Sequence, residues 1–239
     1  MGYRAEEMTP GEFKQAMDRF PVVILPTGIL EWHADHLPLG LDALKAYGIA
    51  ERLAQRTGAI LMPLQWFGVV GFDEMRGTVT FSKDTVKRVA KEFFANLEKM
   101  GARVIVFLTG HYGPYQVETV KEAAREYMAG HRVRIIAQPE YEGVTMPSGE
   151  TPADHAGKYE TSMALALFPE LVRMDSFRQE LEIPADYPAR ENAWGFHSPA
   201  GTWRFREDLR EVASAELGEQ AIALIVEHLA ARIQEELPK

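Results

Sequence analysis

The chain has 239 residues, 46% of them hydrophobic, no cysteine and a formal net charge of -9. That length and apolar content can fill the core of one α/β domain over residues 1–239. The acidic balance argues against a nucleic-acid partner, which needs a basic face. No apolar run approaches the roughly 18 residues of a membrane span, and the first residues lack a signal-peptide core, so no membrane association and a cytoplasmic location are expected.

Val22-Val-Ile-Leu-Pro-Thr-Gly28 is a short apolar run closed by a turn signal, which predicts a buried strand. It leads into Glu31-Trp-His33-Ala-Asp-His36-Leu-Pro-Leu-Gly-Leu-Asp42, where carboxylates and two imidazoles fall within twelve residues. Imidazole with carboxylate and no thiolate suits Zn, Mn or Fe(II), and His excludes an all-oxygen calcium site. Taken alone, the segment also fits a solvated polar loop, because its spacing matches no sharply defined zinc pattern.

Residues 43–56 read as a helix stopped by Gly58, and 59–66 as the second strand. Asp84 is expected to cap a helix that runs to Met100 and stops at Gly101. Arg103-Val-Ile-Val-Phe-Leu-Thr109 is another apolar strand, ending in Gly110-His111-Tyr112-Gly113-Pro114 before a helix over 115–128, and 132–137 is a further strand. Asp154-His155-Ala-Gly-Lys-Tyr-Glu160-Thr-Ser162 then enters a helix that carries Glu160 in its early turns. Strands alternating with helices predict an α/β fold, a three-layer α/β/α sandwich with a mostly parallel central sheet. In such sheets sites form beyond the C-terminal strand ends, which would bring His111 beside the first cluster. Residues 175–206, rich in Pro, Gly and aromatics, form a lid, a subunit contact or a surface excursion. Apolar spacing over 209–236 predicts a helix laying Leu217, Ile222, Ile225 and Leu229 against the sheet. His131, His197 and His228 read as ordinary surface or capping residues.

Together, E-x-H-x-x-H-L-P-x-G-x-D, the G-H turn after an apolar strand and H-A-G-x-x-E-T-S before an apolar helix resemble the creatininase family of metal-dependent amidohydrolases. The resemblance runs from Leu25 to about Val172, includes Gly77-Thr78, and resumes weakly at 213–218. It implies two divalent transition-metal ions on Glu31, His33, Asp42, His111 and Glu160, with Asp42 bridging. It places His36 and His155 near the site, His155 in a proton-handling role, and Tyr112 where it could donate to an oxyanion. The implied reaction is hydrolysis of a small, cyclic or formyl amide by an activated water, in a homo-oligomer, most readily a hexamer with Trp194 shielded.

The chain departs from the pattern where creatinine-hydrolysing members carry a glutamate ligand and it has Gly113, which favours Glu160 as the last carboxylate. Residues 140–154 contain no tryptophan, so a flat ring would lose its stacking partners there and creatinine is expected to be a poor substrate. An E-H pair often present in the family is also missing at Gly71-Phe72-Asp73-Glu74. Two alternatives stay open: a dinuclear phosphoesterase, against which stand the lack of a Gly-rich phosphate cradle and the isolation of Arg76, and a metal-binding protein without turnover, against which stands the intact ligand set.

Overall fold

All seven residues of β1 (Val22–Gly28) are buried, which explains why the segment is a continuous apolar run: a central parallel strand is covered on both faces. The structure is a computed structural model and describes residues 3–184, 190–191, 196–198 and 201–237. On one side β1 pairs in parallel with β4 (Val104–Thr109), which pairs in parallel with β5 (Arg134–Pro139). On the other side β1 meets two short parallel strands, β2 (Ile60–Leu61) and β3 (Gln65–Trp66). The single strand expected over 59–66 is therefore split, and Pro63, which has no N–H to give to a ladder, lies in the gap.

Alternate side chains serve opposite faces of the sheet. Val22, Ile24, Val104, Val106 and Leu108 pack against α2 (Leu41–Thr57), α5 (Lys158–Leu167) and α7 (Ala215–Glu236). Val23, Leu25, Ile105 and Phe107 pack against α1 (Pro10–Arg19), α3 (Lys83–Lys99) and α4 (Pro114–Met128). The result is the expected α/β/α sandwich around a parallel sheet.

Helix ends follow local chemistry. Gly58 closes α2 in the left-handed region at φ 80°, as its position in the sequence suggested. The cap of α3 is Ser82, whose hydroxyl accepts from the Thr85 N–H at 3.3 Å, rather than Asp84, which sits in the first turn where its charge suits the dipole. The helix expected from Leu209 onward is broken into α6 (Leu209–Val212) and α7. Ser214 caps α7, and its own N–H donates to Ser162 Oγ at 3.1 Å, tying the break to α5.

The excursion over 175–206 carries a second, antiparallel sheet in the order β6 (Glu180–Glu182), β9 (Thr202–Phe205), β8 (Phe196–Ser198), β7 (Arg190–Glu191). Trp203 and Phe205 alternate inward along β9 and, with Phe177, are buried in a cluster with Leu37, Leu41 and Phe72. These aromatics thus build a core within the chain. Tyr187 and Trp194 lie outside the described residues. Among the described residues no helix is long and apolar enough to cross a membrane.

Candidate metal centre

The five residues expected as ligands converge at the C-terminal ends of β1 and β4. Glu31 and His33 follow β1, Asp42 occupies the first turn of α2, His111 follows β4, and Glu160 lies in the first turn of α5; all are at most 3% exposed. Three glycines permit the approach. A Cβ on Gly28 would lie 2.4 Å from the Ala43 nitrogen, one on Gly110 would lie 2.0 Å from the Asp42 carbonyl oxygen, and one on Gly71 would lie 2.0 Å from Glu31 Oε1. Ala34 and Ala156, each just after a site histidine, hold φ of 57° and 51°, a left-handed step uncommon for a residue with a Cβ.

Two overlapping triads share the aspartate. Asp42 Oδ1 stands 3.1 Å from His33 Nε2, which is 3.4 Å from Glu160 Oε2. Asp42 Oδ2 stands 3.4 Å from His111 Nδ1, which is 3.2 Å from Glu31 Oε2. In each group the donor atoms lie within 4.8 Å of one another. A third grouping joins Glu31, His33 and His155, with His155 Nδ1 4.0 Å from Glu31 Oε2.

The tautomers show that the residues fit metal ions. His33 Nδ1 is 3.0 Å from the Glu31 carbonyl, His111 Nε2 is 3.1 Å from that of Val70, and His155 Nε2 is 2.9 Å from that of Trp32. A ring nitrogen facing a carbonyl must donate, so in each neutral imidazole the other nitrogen turns a lone pair toward the carboxylates. Lone pairs facing lone pairs repel unless a proton or a cation lies between them. His33 Nε2 and Asp42 Oδ2 also have no hydrogen-bond partner among the described residues. Burial pushes the His33 imidazolium down, yet Asp42, Glu160 and Glu31 outweigh it and hold its pKa up to about 9, a measure of how strongly the centre attracts positive charge.

The other expected residues divide. His155 lines the site cavity and stays neutral, because burial and the positive potential of His33 push its pKa well below the usual imidazole range. Tyr112 also lines the cavity, but its hydroxyl lies 2.7 Å from both Glu160 Oε1 and the Asp154 carbonyl, so it braces the carboxylate where the sequence reading had it facing an oxyanion. Burial, with Glu160 and Glu140 adding to it, raises its pKa well above the usual phenol range and keeps the proton on. His36 does not line the cavity. It packs edge-on against Phe177 and Phe205, at 5.3 and 5.8 Å between ring centres, with Nε2 3.1 Å from Thr161 Oγ1.

That placement has a consequence for acid stability. Burial, followed by the charge of His33, lowers the His36 pKa to about 4, whereas an unfolded histidine titrates near 6.5. The folded chain therefore resists protonation at His36. The resulting stability is full above the unfolded value and is lost as pH falls from 6.5 toward 4, by at most about 3 kcal/mol. His36→Gln should melt with a shallower pH dependence across that window; parallel curves for the two proteins would reject the assignment.

Sequence reasoning missed Lys45 and Glu140, both fully buried beside Glu160. Lys45 Nζ lies 2.7 Å from Glu140 Oε1 and 2.7 Å from Glu160 Oε1. Burial pushes Glu140 up to about 7 against the pull of Lys45. The signal was present in two places: a lysine one turn after Asp42, on the helix face that must enter the core, and a carboxylate directly after the apolar run ending at Pro139.

The cavity above the centre measures about 330 Å³ and is lined by Glu31, Asp42, His111, His155 and Glu160 together with Phe72, Tyr112 and Tyr115. No tryptophan comes from residues 140–154, as the sequence shows, but aromatic rings enter from other loops. The aromatic lining is Phe72, Tyr112 and Tyr115 rather than tryptophan.

A buried pair of carboxylate–imidazole triads sharing one aspartate, at the C-terminal edge of a parallel sheet and open to a small cavity, defines a metal-dependent hydrolase with a dinuclear transition-metal site. Residues 6–233 match the creatininase family, described as creatinine amidohydrolase. The creatinine amidohydrolase of Pseudomonas putida is 30% identical over 245 residues, covering 91% of this chain and 90% of that enzyme. A solved mutant creatininase of the Zn-Zn type superimposes with a TM-score of 0.78 at 27% identity, and a Mn creatininase with 0.77 at 26%, each covering 100% of both chains. The chain belongs to the creatininase family.

Proposed function

We propose that this protein hydrolyses the C–N bond of a small amide, with Glu31, Asp42 and His111 holding one metal ion, His33, Asp42 and Glu160 the other, and Asp42 bridging them. The observation that carries this reading is the division of Asp42 between two histidines, Oδ1 toward His33 and Oδ2 toward His111. Two divalent ions supply Lewis acidity, making a water nucleophilic near neutral pH and polarising the amide carbonyl. His155 carries the proton traffic. Its Nε2 is committed to the Trp32 carbonyl, so Nδ1 is the basic atom facing the centre; it takes the proton released by the attacking water and returns it to the departing nitrogen as the C–N bond breaks. Phe72 and Tyr115 flank the space in which the amide lies and limit its size.

The test is an activity screen of metal-loaded protein over cyclic amides including creatinine, formamides and short peptides, with phosphoesters as the rival class. Turnover is expected among the amides and lost on chelation. Turnover confined to phosphoesters would reject the reading.

We also propose a closed homo-oligomer, a hexamer by family likeness. Supporting it are exposed apolar side chains that lie near one another: Leu30 bridges to Val79, Leu39 lies against Gly77, and Trp66 against Gly40. Trp66, 44% exposed in the single chain, would be covered by a neighbour. Trp66→Glu should then lower the mass measured by light scattering. A monomeric mass for active wild-type protein would overturn the assembly.

A further inference from the structure

Lys45 is fully buried, yet the five proposed metal ligands do not include it. It lies one helical turn beyond Asp42, and its ammonium sits 4.4 Å over the Tyr112 ring as well as against Glu140 and Glu160. Its effect shows in how the two oxygens of Glu160 are occupied. Oε1 receives Lys45 Nζ at 2.7 Å and stands 2.7 Å from the Tyr112 hydroxyl, whose single proton it shares with the Asp154 carbonyl. Oε2 receives the Ala156 N–H at 2.7 Å and stands 3.4 Å from His33 Nε2. A carboxylate with both oxygens open can chelate one ion or swing between two. One whose Oε1 is held by an ammonium and a hydroxyl can offer only the other.

Glu140 resolves the difficulty this creates. A lysine alone beside Glu160 would cancel the charge that attracts a cation. Glu140, at the same 2.7 Å from Nζ, takes up part of the Lys45 charge and leaves more of the charge of Glu160 available.

Resting on the metal reading above, we propose that Lys45, backed by Glu140, is a positioning residue that holds Glu160 Oε1 so that Oε2 alone is presented to the metal position shared with His33 and Asp42. Residues that orient a ligand in this way typically change metal affinity by about 10–100-fold when removed.

The test uses the full-length protein, stripped of metal and titrated with Co(II), with equivalents counted and the visible d–d absorption recorded. Wild type should bind two equivalents. Lys45→Met should alter the d–d spectrum of one equivalent and weaken it by about tenfold or more, leaving the other unchanged. Glu140→Gln should weaken the same equivalent while keeping its spectrum, since Lys45 still holds Oε1. Two wild-type-like equivalents in Lys45→Met overturn the inference and leave the metal reading intact. Wild type that binds no Co(II) overturns both. Should Lys45→Met fail to fold by circular dichroism, unchanged Co(II) affinity in Glu140→Gln overturns the inference on its own.

Discussion

Asp42→Ala is expected to lower metal content at both positions and to cut amide hydrolysis by about a thousandfold or more, the several kcal/mol of charge stabilisation that such a centre supplies. The expectation follows from the two-sided placement of Asp42, 3.1 Å from His33 through one oxygen and 3.4 Å from His111 through the other. Of the two groupings that share Asp42, His33 belongs only to the one with Glu160, so His33→Ala should mainly empty one position. Elemental analysis of the three purified proteins checks the difference. Equal metal content in wild type and both variants would refute the assignment. The same geometry predicts that chelation lowers the melting temperature, because ions bound only by the folded chain stabilise it by mass action.

The second large effect concerns two glycines three residues apart. Gly110→Ala places a Cβ 2.0 Å from the Asp42 carbonyl oxygen and 2.8 Å from its carbon, backbone atoms that cannot rotate away. The end of β4 must then separate from the start of α2, at an overpacking cost of about 3 kcal/mol, and the melting temperature should fall by roughly 6–12 °C. Gly113→Ala meets nothing nearer than 3.6 Å at a negative φ, so it should melt like wild type. Thermal melts of the pair decide the matter; equal losses would show that the close approach of β4 to α2 is not what the glycine serves.

Much of this was legible because burial leaves a periodic or compositional trace. β1 follows the boundaries of its apolar run, the Gly58 stop is real, and Glu160 sits in the first turn of the helix that its motif enters. What escaped notice depends on partners distant in sequence. Lys45 and Glu140 belong to no motif, and only the packing of α2 and the end of β5 brings them together at Glu160, 115 residues from Lys45. His36 has the composition of a site residue, but two rings from the excursion, Phe177 and Phe205, enclose it. The alternation Thr202-Trp203-Arg204-Phe205 was a readable strand signal, hidden by the Pro- and Gly-rich sequence around it.

The three site histidines owe their tautomers to main-chain carbonyls, those of Glu31, Trp32 and Val70. A carbonyl is present whatever side chain the residue bears. Val70, which lines the cavity, can therefore be exchanged for a larger or more polar residue without altering which nitrogen of His111 carries the proton. Evolution can reshape the wall that meets the substrate while the electronic state of the imidazoles is inherited unchanged. This separation lets one reaction centre be carried from amide to amide, and it makes position 70 the place to begin redirecting this enzyme.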